Sequence, residues 1–335
     1  MRVNESRAMA SSNDKPVNYS RRFFWLLLGI VAAIVLYSGG WYYAAGKVGE
    51  RVQTAVDGAN ASGRRANCES LEVRGYPFRL GVFCRSVMFE DPKAAIRFQA
   101  GAFRSAAQVY QPNLVIGELD GPATLETPGI PTLDLKWESM RASVRIASPL
   151  PERVSVEGRN VEVRLDEPGD VPPLLGRAGH AEFHARPDVD AGYDLAVRFN
   201  ELRFDPNFVG TDKLPPLAGL ADVFVERWQS GGRDSSVNIR NLAVSIDDKG
   251  SGAEVSGPFA VGIDGLIDAE LQVKVRNPRA LGELMVSLMP AYREQVELAV
   301  GTIAMLGEEP TFPLKISRGK VRIGFVSLGA IPPLF

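Results

Sequence analysis

The sequence predicts a mainly β protein: an N-terminal transmembrane helix, then an elongated antiparallel β-sheet or sandwich with one amphipathic helical segment. Three observations predict this class. One uncharged run is long enough to cross a bilayer, apolar and polar residues alternate over most of the remaining chain, and one late stretch has helical spacing. We divide the 335 residues into a cytoplasmic tail 1–22, a transmembrane helix 23–43, a helical stalk 44–63 and a β-rich domain 64–335.

The predicted transmembrane helix contains 21 residues without a charged side chain. At 1.5 Å per residue such a helix is roughly 32 Å long, which matches a hydrocarbon core of about 30 Å. Aromatic side chains favour both membrane interfaces, and they occur at both ends of the run. These features favour a membrane span over a buried core helix. The aromatic residues are Phe23, Phe24, Trp25, Trp41, Tyr42 and Tyr43.

The charges that flank the span predict its orientation. Arg21 and Arg22 precede it, so we expect a cytoplasmic N-terminus and a periplasmic ectodomain at a bacterial inner membrane. Lys47 and Arg51 follow the span and weaken this asymmetry. A signal peptide cleaved near Gly46 is the alternative, although signal peptides usually have apolar regions of only about 7–15 residues. The paired arginines also resemble a twin-arginine export motif, but a plain basic flank is the favoured interpretation.

Composition and motif content restrict the function classes. Residues 1–22 carry five basic and two acidic side chains, which leaves 33 basic and 38 acidic residues in the remainder, a net charge of −5. A mildly acidic ectodomain argues against nucleic acid as a partner. The sequence contains no phosphate-binding loop, nucleophile elbow or dinucleotide fingerprint, so it predicts no enzyme and no cofactor.

Alternation of apolar and polar residues begins at Cys68 and is typical of β-strands with one apolar face. Turn-forming pairs such as Pro168-Gly169 and Gly231-Gly232 separate the strands, which favours antiparallel pairing over βαβ units. The alternation slips in phase near Asn160 and near Asn241, which predicts a β-bulge at each position. The further alternating stretches are 133–146, 153–165, 181–185, 193–204, 221–228, 237–246, 266–275 and 315–326.

The two cysteines flank a predicted hairpin whose turn is Gly75, Tyr76 and Pro77. If the hairpin is symmetric about Tyr76, Cys68 lies directly opposite Cys84. Directly opposed residues have Cα atoms about 4.5–5.5 Å apart and share one face, which is within disulfide range. Because an exported domain is in an oxidising compartment, we predict a disulfide rather than two buried thiols.

One segment late in the chain has helical spacing. Asn277 and Pro278 form a favourable start, Gly307 ends the segment, and Pro290 should kink or split it. An amphipathic helix that partly covers a sheet is the favoured interpretation, with a membrane-surface helix as the alternative. We predict that its apolar side chains form a ligand-binding face, with Met residues able to adapt to varied chains. The candidate face consists of Leu281, Leu284, Met285 and Leu288.

The only histidines are His180 and His184. Their spacing matches the pair found in helical zinc sites, but the surrounding residues alternate as a strand does. On a strand the two imidazoles lie about 13 Å apart, too far to share a metal ion. We therefore predict a solvated strand face and no metal site.

Several short motifs resemble one bacterial family. Cys68, the Gly-Tyr-Pro-Phe-Arg turn at 75–79 and Cys84 resemble the domain of unknown function 2125 family. The resemblance covers nearly all of the chain past residue 20. It implies an inner-membrane anchor and an envelope location, mostly in alphaproteobacteria, and no assigned reaction. The plan is also similar to AsmA-like envelope proteins, which are linked to lipid traffic. Further matching segments are 107–110 with Pro112, 121–122, 327–329 and 332–334.

The sequence supports three hypotheses for function. The first is a membrane-anchored periplasmic protein that binds lipid or another apolar ligand in envelope maintenance. The alternative is a non-enzymatic scaffold or assembly partner of envelope proteins, and an enzyme is the least favoured. An open apolar face favours the first hypothesis, whereas strands closed into a sandwich with a dry core favour the scaffold. The expected partners are the inner membrane and either lipid or an envelope protein.

Overall fold

A computed structural model describes residues 19–148, 150–166, 173–188, 192–227, 234–324 and 326–334. The tail 1–18 and the turn pairs Pro168-Gly169 and Gly231-Gly232 lie outside these residues. Of the described residues, 52% are in strands and 24% in helices, which confirms the predicted fold class. The chain forms two compact units, one ending at Lys47 and one starting at Val48.

The first helix, α1, is continuous from Tyr19 to Ala61. Its most apolar 18-residue window has a mean hydropathy of 2.1, so it is long and apolar enough to cross a membrane. By length and composition it suits an anchor or a signal sequence. The predicted continuation past the apolar run is confirmed, because the helix ends two residues before Gly63, which has φ +86°. The amide of Asn60 then bonds the backbone of Ala66 in both directions, at 2.8 and 3.2 Å.

Twenty strands are described, and all of them pair antiparallel in one sheet. The strands β1 to β10 are Arg65–Cys68, Glu72–Arg74, Arg79–Cys84, Val87–Asp91, Ile96–Ala100, Phe103–Gln108, Gln111–Leu119, Ala123–Thr127, Ile130–Lys136 and Ser139–Arg145. The strands β11 to β20 are Arg153–Leu165, Leu174–Asp188, Gly192–Phe204, Leu217–Arg227, Ser235–Ser245, Gly252–Val261, Ile267–Arg276, Thr311–Ser317, Lys320–Ile323 and Val326–Ala330. Three further helices are described: α2, Pro206–Val209; α3, Pro278–Leu288; and α4, Arg293–Ala304.

The sheet is a meander in which the first ten strands act as five long, interrupted ones. In one half of the sheet, β3 pairs with β6, β6 with β7, and β7 with β10. In the other half, β4 pairs with β5, β5 with β8, and β8 with β9. Both β10 and β9 then pair with different halves of the uninterrupted β11. The interruptions therefore lie side by side and form a line across the sheet, which we call the crease. Its segments are 69–71, 85–86, 101–102, 120–122, 137–138 and Asn160.

Backbone and side-chain hydrogen bonds join neighbouring segments of the crease. The Gly101 N–H donates to the Asp120 carbonyl at 3.1 Å, and the Trp137 indole donates to the Leu119 carbonyl at 2.8 Å. These bonds replace the ladder bonds that are lost where the strands are interrupted. The crease is thus a continuous hydrogen-bonded feature rather than a gap between two sheets.

The two predicted irregularities are present in different forms. Asn160, at φ +48°, lies between the half of β11 that pairs with β10 and the half that pairs with β9. The phase slip there marks the crease. In β15 the register against β14 shifts between Ile239 and Asn241, so Arg240 is the bulged residue. An asparagine is favourable at the first position because its short polar side chain tolerates a left-handed backbone.

The predicted disulfide between Cys68 and Cys84 is present, with a Cα–Cα distance of 5.2 Å. The predicted turn is also present, with the Arg79 N–H donating to the Gly75 carbonyl at 2.9 Å. The predicted register is wrong, because Cys68 lies opposite Val87 rather than Cys84. The turn extends through Phe78 and moves the hairpin axis past Pro77. The cysteines still meet because each ends a strand beside the crease, where the backbone leaves the regular ladder.

The disulfide shows that the apolar side chains of the two halves, which lie on either side of the crease, project from the same face of the sheet. Opposed residues in a ladder project from one face. The row of Cys84 continues through Phe103 and Leu119 on one side of the crease. The row of Cys68 lies on the other side, and a direct bond joins the two rows. The slip in the alternation at the crease thus keeps the apolar side chains of both halves on one face of the sheet. The Cys68 row contains Val87, Ala100, Ala123, Leu135 and Val163.

The late helical segment is split, as predicted for Pro290. A 3-10 turn, Pro290–Tyr292, separates α3 from α4, and the Asn277 side chain accepts from the Ala280 N–H at the start of α3. α3 and α4 pack chiefly on each other. At Gly282 an added Cβ would lie 2.6 Å from Val300 Cγ2, so only glycine allows this approach. The expectation that the segment covers the sheet stays a prediction.

Candidate apolar binding face

One row of apolar side chains crosses eight consecutive strands of the sheet, and we call it the central apolar row. Each member lies directly opposite the next in the ladder, so all of them project from one face. The row contains Val156, Phe183, Val197, Ala221, Leu242, Val255, Val273 and Phe312.

The central apolar row is open to solvent in the middle strands. Phe183 is 38% exposed, Val197 39% and Leu242 41%, although all three are large apolar side chains in regular strands. Neighbouring members such as Ala221 are half-buried. A contiguous apolar surface of this kind on a folded domain indicates a site for a ligand or a partner.

A second apolar row lies two residues along each strand on the same face. Here Phe199 is opposite Gly219, and Gly219 is opposite Val244, which is 39% exposed. The Phe199 ring lies over Gly219: an added Cβ there would come within 2.3 Å of Phe199 Cζ. Glycine therefore lets an aromatic ring lie flat on the sheet and extends the apolar surface beside the central row.

The same face is closed near the C-terminal strands. A buried cluster is formed by Ile267, Ala269, Leu271 and Ile316, and Ile331 packs against it. The C-terminal segment is tied down there, since the Ile331 N–H donates to the Gly319 carbonyl at 2.8 Å. The face is thus closed at β17 and β18 but open at Phe183, Val197 and Leu242, which makes the surface around these three residues the candidate binding face.

The opposite face of the same strands is charged. Glu157 lies directly opposite Glu182, a like-charge pair that would destabilise the ladder without compensation. Arg159 donates to Glu157 at 3.0 Å and His180 lies 3.3 Å from it. Arg159 and then His180 hold the pKa of the Glu157 carboxyl below its usual range. The contrast with the central apolar row shows which face suits an apolar ligand.

A second charged cluster on this polar face centres on Asp194. Arg186 donates to its carboxylate at 2.8 Å, and Arg240, the bulged residue of β15, donates to the other oxygen. Arg186 first and Arg240 second hold the pKa of Asp194 below its usual range. The bulge therefore directs a cation to the polar face, where it joins β13 to β15.

Both histidines lie on strand β12, as predicted. His184 Nδ1 is 2.9 Å from the Ser155 hydroxyl, whereas His180 contacts Glu157. The two imidazole rings thus contact different side chains on the polar face. Among the described residues no group of three or more metal-binding side chains could hold an ion.

The four residues predicted as a ligand face on the helical segment lie together on one side of α3. Leu281, Leu284 and Leu288 are half-buried, and Met285 is 42% exposed. At 100° per residue, this side is distinct from the one that Gly282 presents to α4, since Gly282 is 100° from Leu281 around the helix. The structure does not group these four with the buried cluster of the sheet. Sequence reasoning predicted a sheet with one apolar face but not the members of the central apolar row. Alternation identifies apolar positions within a strand but not which strands pair.

Comparison with known proteins agrees with the motifs around the disulfide. No curated protein matches the chain. The model of a family described as an uncharacterized protein conserved in bacteria, DUF2125, matches residues 41–332. The chain belongs to this family. The DUF2125 match extends over all twenty described strands, so the disulfide, the crease and the central apolar row all lie within the family's domain. The DUF2125 description assigns no function.

Proposed function

We propose that this DUF2125 protein is a membrane-anchored periplasmic protein that binds the acyl chain of a lipid on its central apolar row, in envelope maintenance. The observation that carries the proposal is the partial exposure of Phe183, Val197 and Leu242 on neighbouring positions of one face. A ligand that covers these side chains removes apolar surface from water, which is worth about 25 cal/mol per Å².

An acyl chain fits this surface better than a polar ligand does. Each CH₂ group that it buries contributes about 0.8 kcal/mol without requiring a hydrogen-bond partner. The central apolar row provides no polar side chain over its eight positions, and the charged groups of the same strands project from the opposite face. A membrane anchor at α1 keeps the domain close to the bilayer, where acyl chains are abundant.

We expect α1 to remain uncleaved and the domain to be periplasmic, because Arg21 and Arg22 precede the apolar run. Alkaline phosphatase and green fluorescent protein, fused separately to the C-terminus, test this topology. The phosphatase fusion should be active and the fluorescent fusion dark. The reverse pattern would contradict the topology, and a mature N-terminus near Gly46 would contradict the anchor.

Binding is tested with a photo-crosslinking residue at Leu242, in the full-length protein in cells. The matched control is Asn238, which is exposed on the same strand but lies opposite Phe224 on the polar face. We expect lipid adducts at Leu242 and at least about fivefold fewer at Asn238, since an apolar ligand gains little from a polar face. Lipid captured equally at both positions would argue against a specific face.

A charge on the row provides a second arm of the same test. Leu242→Glu should reduce the lipid that co-purifies by about tenfold, because a buried carboxylate without a partner opposes acyl-chain binding. Asn238→Glu adds the same charge to the polar face and should leave the lipid content unchanged. Protein adducts at Leu242 without lipid adducts would favour the alternative function, a scaffold that binds another envelope protein through this face.

A further inference from the structure

A crevice of about 840 Å³ lies between α3 and α4, on the side of α3 away from the four residues predicted from sequence. This volume is in the range of small-molecule sites in proteins. Lys213, from the segment between α2 and β14, also contributes to the lining. The apolar wall consists of Val286, Pro290, Val296, Val300, Ala304 and Met305.

The charged groups at the crevice favour an anion. Three cations and two carboxylates line it, and one of each sign is already paired: Arg293 donates to Glu297 at 3.3 Å. Within the described ranges, Lys213 and Arg279 form no ion pair with an acidic side chain. Of the described lining residues, Glu283 is the only opposing charge that remains. The lining thus combines an apolar wall with two available cations.

We propose that this crevice binds one long-chain carboxylate, with the alkyl chain along Val286, Val296 and Val300 and the carboxylate at Lys213 and Arg279. Arginine can hold a carboxylate through two parallel hydrogen bonds, and lysine adds a point charge. This site is separate from the central apolar row. The crevice is formed by different elements and would bind a free acid. This proposal can therefore be tested independently of the proposed function.

Gly301 makes the crevice testable without damage to the fold. It lines the crevice, and an added Cβ there has no heavy atom within 4 Å. A leucine at this position therefore has room to enter the crevice, and it is also a better helix former than glycine. Gly301→Leu should exclude the ligand while α4 remains stable. Thr302→Leu is the matched control, because it places a leucine at an exposed position of the same helix that does not line the crevice.

The experiment uses the full chain in amphipol with a diazirine-bearing palmitate, followed by mass-spectrometric mapping of the labelled peptides. Wild type and Thr302→Leu should be labelled on α3 and α4, and Gly301→Leu at least about tenfold less. The double variant Lys213→Ala/Arg279→Ala should also lose about tenfold, whereas Lys320→Ala, an exposed cation on β19, should not. Glu283→Gln should increase labelling, since it removes the opposing charge.

Two results would overturn the proposal. Equal labelling of α3 and α4 in Gly301→Leu and wild type would exclude the crevice as the site, provided that circular dichroism shows both to be folded. Competition by hexadecanol as effective as that by unlabelled palmitate would exclude a role for the carboxylate. Labelled peptides from β12 to β15 report the sheet face separately, so failure at the crevice is distinct from failure of the proposed function.

Discussion

We expect the double variant Cys68→Ser/Cys84→Ser to lose about 3 kcal/mol of its free energy of unfolding. The disulfide closes a loop with a sequence separation of 16, and in the chain-entropy model a crosslink of this span restricts the unfolded chain by about that amount. Cys84 is buried, so the serine hydroxyl would also enter apolar surroundings. Urea unfolding of the full chain in detergent, followed by circular dichroism, measures the loss.

Reduced wild type is the matched control, because it lacks the crosslink but keeps both sulfur atoms. It should unfold at a urea concentration close to that of the double variant. The disulfide also joins the two apolar rows that meet at the crease, so its loss should increase hydrogen exchange first in β1 to β4. A loss below about 1 kcal/mol, or two thiols labelled in unreduced native protein, would contradict this prediction.

Gly81→Ala should cost about 3 kcal/mol, because it places a Cβ against a neighbouring backbone. An added Cβ at Gly81 would lie 2.0 Å from the Ser105 carbonyl oxygen, so β3 and β6 would have to separate. The separation would also disturb Ser105, which is buried and donates to the Val82 carbonyl while it accepts from the Val82 N–H at 3.0 Å. Urea unfolding of purified full-length variants measures the cost.

Gly301→Ala is the control for the same chemical change at an open position. Its Cβ meets no atom within 4 Å, and alanine in a helix interior is favoured over glycine by about 0.5–1 kcal/mol. The two glycine variants should therefore move stability in opposite directions. Equal effects at both sites would show that the close approach of β3 and β6 does not limit stability.

The phase of the alternation was more informative than a list of apolar residues. Val156 and Val161 are five positions apart, an odd spacing that a regular strand would place on opposite faces. Asn160 takes a left-handed backbone between them, and at Gly158 an added Cβ would lie 2.8 Å from Val161 Cγ2. The side chains on the two sides of the slip therefore meet on one face. A slip in the pattern thus marked the crease.

Local sequence by itself determined those features whose causes lie within a few neighbouring residues. The uncharged run 23–43 is enough for a long apolar helix. The backbone groups pair within the helix, so the polarity of the side chains determines whether it is more stable in lipid or in water. Gly75 and Pro77 are enough for a turn, and Pro290 is enough to split a helix, since each restricts the backbone directly. The cysteine pairing was predicted from the hairpin and from the expected export of the domain.

Only the tertiary structure decided how the strands align. Period-two alternation identifies the apolar side of each strand. Shifting the neighbouring strand by two residues keeps its apolar side chains on the same face, so alternation does not fix the register. The register depends instead on turn length and cross-strand packing. That is why the hairpin axis lies past Pro77 rather than at Tyr76, and why the central apolar row was not predicted. The open face around Leu242 likewise depends on which distant elements cover the sheet, because burial is a property of the packed chain rather than of any one segment.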